Sequence, residues 1–139
     1  MKWEFSEAGY GDIVRICLGE IYHYGIYVSD DEVIQFGPPP VNILRPEDEI
    51  EVCVTNIDDF LCGKFLEVEK PERKERKKRR SPEEVVQTAR SRIGEKGYSI
   101  LYNNCEHFVY ECAYGEHFCS QTDRIRKMWR SKLEQSGML

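Results

Sequence analysis

The sequence predicts an α+β protein in which an antiparallel β-sheet packs against helices. Short segments rich in β-branched and aromatic residues, separated by turn residues, fill the chain before residue 70. After residue 80, apolar residues recur at the helical spacing of three and four. The length of 139 residues and the hydrophobic content of 40% fit a single domain, 1–139, with one core.

The predicted strands are short, and turn residues separate them. In Glu49–Thr55, acidic or polar residues alternate with apolar ones, which is typical of a half-buried strand. The run Gly37-Pro38-Pro39-Pro40 ends the strand before it, because proline cannot donate a hydrogen bond to a neighbouring strand. The five predicted strands are Asp12–Leu18, Tyr22–Val28, Glu32–Phe36, Glu49–Thr55 and Phe65–Val68.

The first predicted helix begins at Ser81. Ser81 is a favourable N-cap, Pro82 suits the first helical position, and Glu84 completes a capping box. Gly94 is the expected C-terminal stop. One apolar stripe should face the sheet, formed by Val85, Val86, Ala89 and Ile93.

A second helix should begin near Asn103 or Asn104, both good N-caps, and end at Gly115. Asn103 and Glu106 have the spacing of a capping box. A last helix is expected over 120–133. The second helix should bury one face, formed by Cys105, Phe108, Val109 and Cys112.

Charge is distributed unevenly along the chain, whose net charge is −5. Residues 70–80 hold eight basic and two acidic side chains, a local charge of +6. We expect this run to be a solvated, mobile linker or loop, with peripheral contact to an anionic membrane as the alternative. No aromatic residue interrupts the run for base stacking, so no nucleic-acid partner is expected.

The cysteines are predicted to be free thiols. The first residues lack the apolar region of a secretory signal, and no stretch approaches the ~20 apolar residues that a membrane-spanning helix needs. A cytoplasmic location is therefore expected, where the six cysteines stay reduced. At least one of them is then available as a nucleophile.

Cys105 is the strongest candidate nucleophile, because it falls in the first turn of a predicted helix. Free N–H groups and the helix dipole at that position favour a thiolate and lower the pKa of the thiol. The same N–H groups could stabilise an oxyanion during acyl transfer.

His23 is the expected base for this thiol. His107 follows Cys105 by two residues on the same helix and should point away, while His117 falls in a loop. If residues 29–31 form a three-residue loop, Val28 pairs with Glu32. Gln35 then lies opposite Gly25 and on the same face as His23, whereas a two-residue loop would reverse that parity.

Gln35 is the expected orienting group. Its amide oxygen can accept a hydrogen bond from one imidazole nitrogen and hold the other nitrogen toward the thiol. On spacing alone a distant cysteine and histidine are weak evidence, because a buried cysteine is usually a small hydrophobic residue.

Longer motifs strengthen the hypothesis that Cys105 is a nucleophile and His23 its base. The stretch Asn103–Gly115, NNCEHFVYECAYG, closely resembles the active-site motif of the lecithin:retinol acyltransferase family, which includes the H-Ras-like suppressor phospholipases and acyltransferases. The segment 11–40, GDIVRICLGEIYHYGIYVSDDEVIQFGPPP, resembles the N-terminal block of the same family. The segments SPEEVVQTARSRIGEKGYSILY and SQTDRIRK resemble its sequences before and after the cysteine helix.

The resemblance implies a permuted papain-like fold of the NlpC type and no cofactor or metal. It places Cys105 as nucleophile, His23 as base and Gln35 at a third position that is histidine in the best-known members. The implied reaction passes through a thioester acyl-enzyme, with a phospholipid or other acyl ester as donor (phospholipase A or N-acyltransferase chemistry). Substrate contacts are expected from Tyr24, which replaces a usual tryptophan, from Tyr27, which shares the His23 face, and from Asn104.

Three alternatives stay open. The same fold supports cysteine peptidase or amidase chemistry. Glutamine at position 35 is also compatible with an inactive binding module. A zinc site is the weakest alternative, because its ligands would not share the usual short spacings. That site would draw on Cys105, His107, Cys112, His117 and Cys119.

Overall fold

A computed structural model describes residues 2–37, 46–100, 103–135 and 137. These residues form one six-stranded antiparallel sheet with helices, which confirms the predicted α+β class. In chain order the strands are β1 (Lys2–Glu4), β2 (Ile13–Cys17), β3 (Tyr22–Ser29), β4 (Glu32–Phe36), β5 (Val52–Thr55) and β6 (Glu67–Lys70). Their order across the sheet is β1-β6-β2-β3-β4-β5.

Five α-helices and one 3₁₀ turn occur in these described ranges. The 3₁₀ turn, Glu47–Glu49, occupies the beginning of the strand predicted over 49–55. None of the described helices has the length and apolar character required to cross a membrane. The helices are α1 (Ile57–Leu61), α2 (Arg73–Arg76), α3 (Pro82–Ser91), α4 (Cys105–Tyr114) and α5 (Thr122–Gln135).

The β3–β4 hairpin has the predicted register between Tyr27 and Val33 and beyond, but its loop and the residues next to the loop differ from the prediction. Tyr27 pairs with Val33, but Ser29 pairs with Glu32, so the loop has two residues rather than three. A β-bulge at Val28 adds the missing residue and restores the parity. The expected pairing of Val28 with Glu32 is therefore wrong, although the side chains beyond the bulge keep the predicted faces.

The sheet separates two hydrophobic clusters. One face packs on α3 and α4, and the other packs on α1 through Phe60. Side chains alternate between these faces along β3. Tyr24 and Ile26 accordingly belong to the α4 side. His23 is the cross-strand partner of Ile16 on β2, which belongs to the α1 side, so the His23 side chain lies on the α1 side as well.

The caps of α3 follow the prediction at its beginning only. Ser81 is the N-cap and accepts a hydrogen bond from the backbone N–H of Glu84. The helix ends at Ser91, earlier than expected, because the N–H of Gly94 bonds to the carbonyl of Val52. Ile93 consequently leaves the apolar stripe and is 46% exposed.

The caps of α4 correct a second detail. The N-cap is Asn104, and its capping-box partner is His107, rather than the pair Asn103 and Glu106. Gly115 ends the helix in the left-handed conformation, as predicted. The predicted inward face of this helix is confirmed, since all four of its members are buried: Cys105, Phe108, Val109 and Cys112.

The basic segment 70–80 is attached to the domain at its end. Arg79 is 14% exposed, donates to the carbonyl of Gly11 and lies within 4.0 Å of Asp12. The backbone N–H of Arg80 bonds to the carbonyl of Ala113 at the end of α4. These contacts attach the end of the segment to the domain, and α2 lies within the segment; the expected mobility of the rest of the run stays a prediction. The proline run 38–40 lies outside the described residues.

Candidate active site

His23 and Gln35 form a buried pair on neighbouring strands. The His23 Nε2 and Gln35 Oε1 atoms are 2.5 Å apart, and both side chains are fully buried. The Gln35 Nε2 donates to the hydroxyl of Thr55 on β5 at 2.9 Å. With its amide nitrogen used in this way, Gln35 presents its oxygen to the imidazole, so Nε2 of His23 carries the proton.

This arrangement leaves Nδ1 of His23 with a free lone pair. That atom is buried and has no hydrogen-bond partner within the described residues. Burial lowers the pKa of His23 to about 4, although the hydrogen bond that His23 donates to Gln35 raises it in part. The imidazole is therefore neutral near pH 7, which is the form that can accept a proton.

Cys105 occupies the first position of α4 and is 5% exposed. Burial raises the pKa of its thiol to about 12, and backbone N–H groups of Tyr24 and of Cys105 itself lower it in part. The expectation of a lowered pKa is wrong for this structure, because the cost of burying a charged thiolate exceeds the stabilisation from the start of the helix. The resting group is a neutral thiol.

The sulfur lies beside the peptide bond that links His23 to Tyr24. Pairing between β3 and β4 begins at Ile26 and Ile34, so within the described ranges, which omit 38–45, the preceding residues of β3 have no strand partner on that side. The Tyr24 N–H there donates to Cys105 Sγ instead. Cys105 thus reaches β3 from the α4 side while the His23 ring lies on the α1 side, and no hydrogen bond joins the two side chains within the described residues.

The three residues expected to contact substrate lie in different surroundings. The Tyr24 ring is 1% exposed and packs edge-on against Trp3. Tyr27 donates its hydroxyl to Asp30 at 2.6 Å and lines a surface cavity of about 340 Å³. Asn104 accepts from the N–H groups of Glu106 and His107 and also donates to the Ile100 carbonyl. Its side chain therefore holds the start of α4, and substrate contact by these three residues stays a prediction.

The other histidines have local roles. His107 Nδ1 accepts from the Asn104 N–H at 3.0 Å, and its ring stacks on His117 with 4.1 Å between centroids. His117 in turn pairs with Glu111 at 2.7 Å. Over the described ranges, no three histidine, cysteine or acidic side chains are grouped to hold a metal ion. All six cysteines fall in those ranges, and none of them forms a disulfide.

Sequence reasoning missed two polar residues that contact the site. Thr55 could have been found, because it lies two residues beyond Cys53, the cross-strand partner of Gln35, and shares its face. Gln121 bonds to the backbone of Tyr22, 99 residues earlier in the chain, and no local pattern indicates that contact.

Comparison with known proteins gives the same assignment as the motifs. The sequence profile described as lecithin retinol acyltransferase matches residues 6–118. The bovine lecithin retinol acyltransferase is 30% identical over 142 residues, which cover 88% of this chain and 62% of the bovine protein. The human phospholipase A and acyltransferase 4 is 28% identical over 136 residues, which cover 84% of this chain and 76% of the human protein.

The match extends through the fold as well as the site. It includes β2, β3 and β4 with His23 and Gln35, and it includes all of α4 with Cys105. The chain spans about six-tenths of the length of the lecithin retinol acyltransferases that it matches, 62% for the bovine protein. Since the profile covers most of the chain, this protein belongs to the lecithin retinol acyltransferase family.

Proposed function

We propose that this protein is a cysteine-dependent acyltransferase or hydrolase that acts on a phospholipid or another acyl ester. Cys105 is the nucleophile, His23 the base and Gln35 the group that orients the base. The observation that carries the proposal is the buried pair of His23 and Gln35, which leaves Nδ1 unprotonated and without a partner among the described residues. The names of the relatives, acyltransferase and phospholipase A, support the choice of substrate class.

The protonation states favour attack by a neutral pair. Burial keeps Cys105 as a thiol and His23 as a neutral imidazole. Nδ1 of His23 takes the thiol proton as the sulfur attacks the ester carbonyl, and returns a proton to the leaving alcohol. A thioester on Cys105 results. Water or an acceptor amine or alcohol then removes the acyl group.

This chemistry requires the thiol and the imidazole to meet. Cys105 and His23 approach β3 from opposite sides of the sheet, where β3 and β4 are not yet paired. Because Phe60 fills the space beside Gly25, rotation of the His23 side chain alone does not suffice, and the proposal requires a local shift of the β3 backbone before Ile26 that brings Nδ1 toward the sulfur. Entry of the substrate ester, which must displace the Tyr24 N–H from the sulfur, is the step that we expect to accompany it.

In this proposal, the backbone N–H groups of Cys105 and Tyr24 stabilise the oxyanion. Asn104 already occupies the N–H groups of Glu106 and His107, which removes two of the donors of the first turn. The N–H groups of Cys105 and Tyr24 are directed at Sγ instead. An ester carbonyl attacked by that sulfur would place its oxygen between these two donors.

Intact-mass analysis after incubation with phosphatidylcholine vesicles tests the proposal. We expect one added acyl mass on the protein, removed by hydroxylamine, which cleaves thioesters. Cys105→Ala should abolish the adduct. Cys112→Ala is the matched control, because it removes another buried thiol on the same face of α4 and should leave the adduct in place.

A parallel incubation with a panel of peptides and N-acyl amides separates the remaining functions. Turnover of peptides without turnover of lipid esters would favour the peptidase chemistry. The absence of any adduct on Cys105, together with a thiol that stays unreactive toward iodoacetamide in the folded protein, would contradict the proposed function and favour a binding module.

A further inference from the structure

A three-residue segment that follows α4 connects Glu106, the neighbour of the proposed nucleophile Cys105, to Tyr22, the neighbour of the proposed base His23. We call it the bracket, Cys119–Gln121, and it lies just beyond the region 6–118 that matches the family profile. Glu106 follows Cys105, and Tyr22 precedes His23. The bracket forms hydrogen bonds with both of these neighbours.

On the α4 side, the bracket satisfies a buried carboxylate. Glu106 is 1% exposed, and its Oε2 accepts from the Ser120 N–H at 3.0 Å and the Ser120 hydroxyl at 2.7 Å. Its Oε1 accepts from the Cys119 thiol at 3.4 Å. A buried carboxylate that lost these donors would be strongly disfavoured, so the bracket and the start of α4 are held together.

On the strand side, the side-chain amide of Gln121 binds the backbone N–H and C=O of Tyr22. Gln121 is 4% exposed, accepts from the Tyr22 N–H at 2.6 Å and donates to the Tyr22 carbonyl at 3.3 Å. Because β3–β4 pairing begins only at Ile26, Tyr22 has no strand partner on this side among the residues that the structure describes. Gln121 supplies the two hydrogen bonds that a neighbouring strand would otherwise make.

We propose that Gln121 is a positioning residue for the reaction: through Tyr22 it fixes the strand that carries His23 relative to the helix that carries Cys105. Ser120 completes the connection through Glu106. The inference rests on the proposed function for its catalytic consequence, although the geometry that it sets is measurable without turnover. Gln121 does not touch the reacting atoms, and it acts by holding the two elements in register.

The test compares Gln121→Met, which keeps the length of the side chain and removes both hydrogen bonds, with Gln87→Met at an exposed position of α3. With p-nitrophenyl butyrate as the ester probe, we expect kcat to fall about 10- to 100-fold in Gln121→Met with KM within about twofold, because a small misplacement of reacting groups has that effect. Gln121→Glu keeps the acceptor for the Tyr22 N–H and should lose less. Gln87→Met should match the parent.

A second readout is independent of catalysis. The ¹⁵N chemical shifts and pH titration of the His23 ring should change in Gln121→Met and stay unchanged in Gln87→Met. Ser120→Ala, a milder change, should alter the same signals in the same direction and serves if Gln121→Met does not fold. If the parent enzyme is inactive but the His23 signals still move, the proposed function fails and the positioning role stands. A folded Gln121→Met with parental kcat and parental His23 signals would overturn the inference.

Discussion

Replacing Gln35 with methionine tests the central pair of the site. The substitution keeps the length of the side chain and removes both polar atoms. It deprives His23 Nε2 of its acceptor and the Thr55 hydroxyl of its donor, inside a region where Gln35 and His23 are fully buried. The His23 Nε2–H is buried, and leaving it without a partner costs about 1–3 kcal/mol, whereas the half-buried Thr55 hydroxyl can bond to water; the free energy of unfolding should therefore fall by about 1–3 kcal/mol.

The effect on rate follows from the same hydrogen bond. Gln35 raises the pKa of His23 in part, so its loss makes the imidazole a weaker base and lets the ring protonate on either nitrogen. If about 1–3 kcal/mol of orientation is lost in the transition state, kcat falls about 10- to 100-fold. Urea denaturation and ester hydrolysis measure the two quantities, and Gln35→His should retain more activity than Gln35→Met because imidazole can also accept the bond.

Gln87→Met controls for the substitution itself at an exposed site. A Gln35→Met protein with unchanged kcat and unchanged unfolding free energy would refute the assignment of Gln35 as the orienting group. Loss of stability with unchanged kcat would leave Gln35 a structural residue only.

Three further predictions concern packing, pH and charge. Gly25→Ala should destabilise the fold by about 1–3 kcal/mol in urea denaturation, because a Cβ there would lie 2.8 Å from Phe60 Cε1, whereas Gly9→Ala, whose nearest neighbour is 3.5 Å away, should be nearly neutral. The folded pKa of His23 is about 4, below its ordinary 6.5. Between these values the unfolded chain binds a proton that the folded chain does not, so stability should fall as pH drops from 6.5 toward 4, and His23→Asn should flatten that dependence. Vesicles with phosphatidylserine should bind the protein in a salt-sensitive manner through the exposed cations of 73–77, and binding that persists after all four are changed to serine would contradict this role.

Features encoded by neighbouring residues could be predicted from the sequence. Ser81 and Pro82 identify the start of α3, and the stripe that begins at Cys105 identifies the buried face of α4, because capping and helical periodicity act within a few residues. The contact between His23 and Gln35 also follows from sequence, since strand parity fixes which side chains share a face.

Features set by tertiary contacts could not be predicted. The thiol of Cys105 has a raised pKa because surrounding elements bury it, and the helix start alone predicts the opposite direction. Ile93 leaves α3 because the next turn of chain bonds to Val52. Strand β1 has three residues, too few to show alternation, and β6 begins two residues later than its predicted start at Phe65.

The late start of β3–β4 pairing has a consequence for how such a site can change. When two antiparallel strands pair along their full length, every N–H and C=O that faces the neighbouring strand is hydrogen-bonded. No other chemical group can then bond to those backbone atoms. Among the described residues, the β3–β4 ladder begins at Ile26. Before it, the Tyr24 backbone contacts the Cys105 sulfur and the Tyr22 backbone contacts the Gln121 side chain. The incomplete ladder therefore leaves backbone groups in the middle of this sheet open to a thiol and to an amide side chain, and substitutions that extended the pairing by two residues would block both contacts.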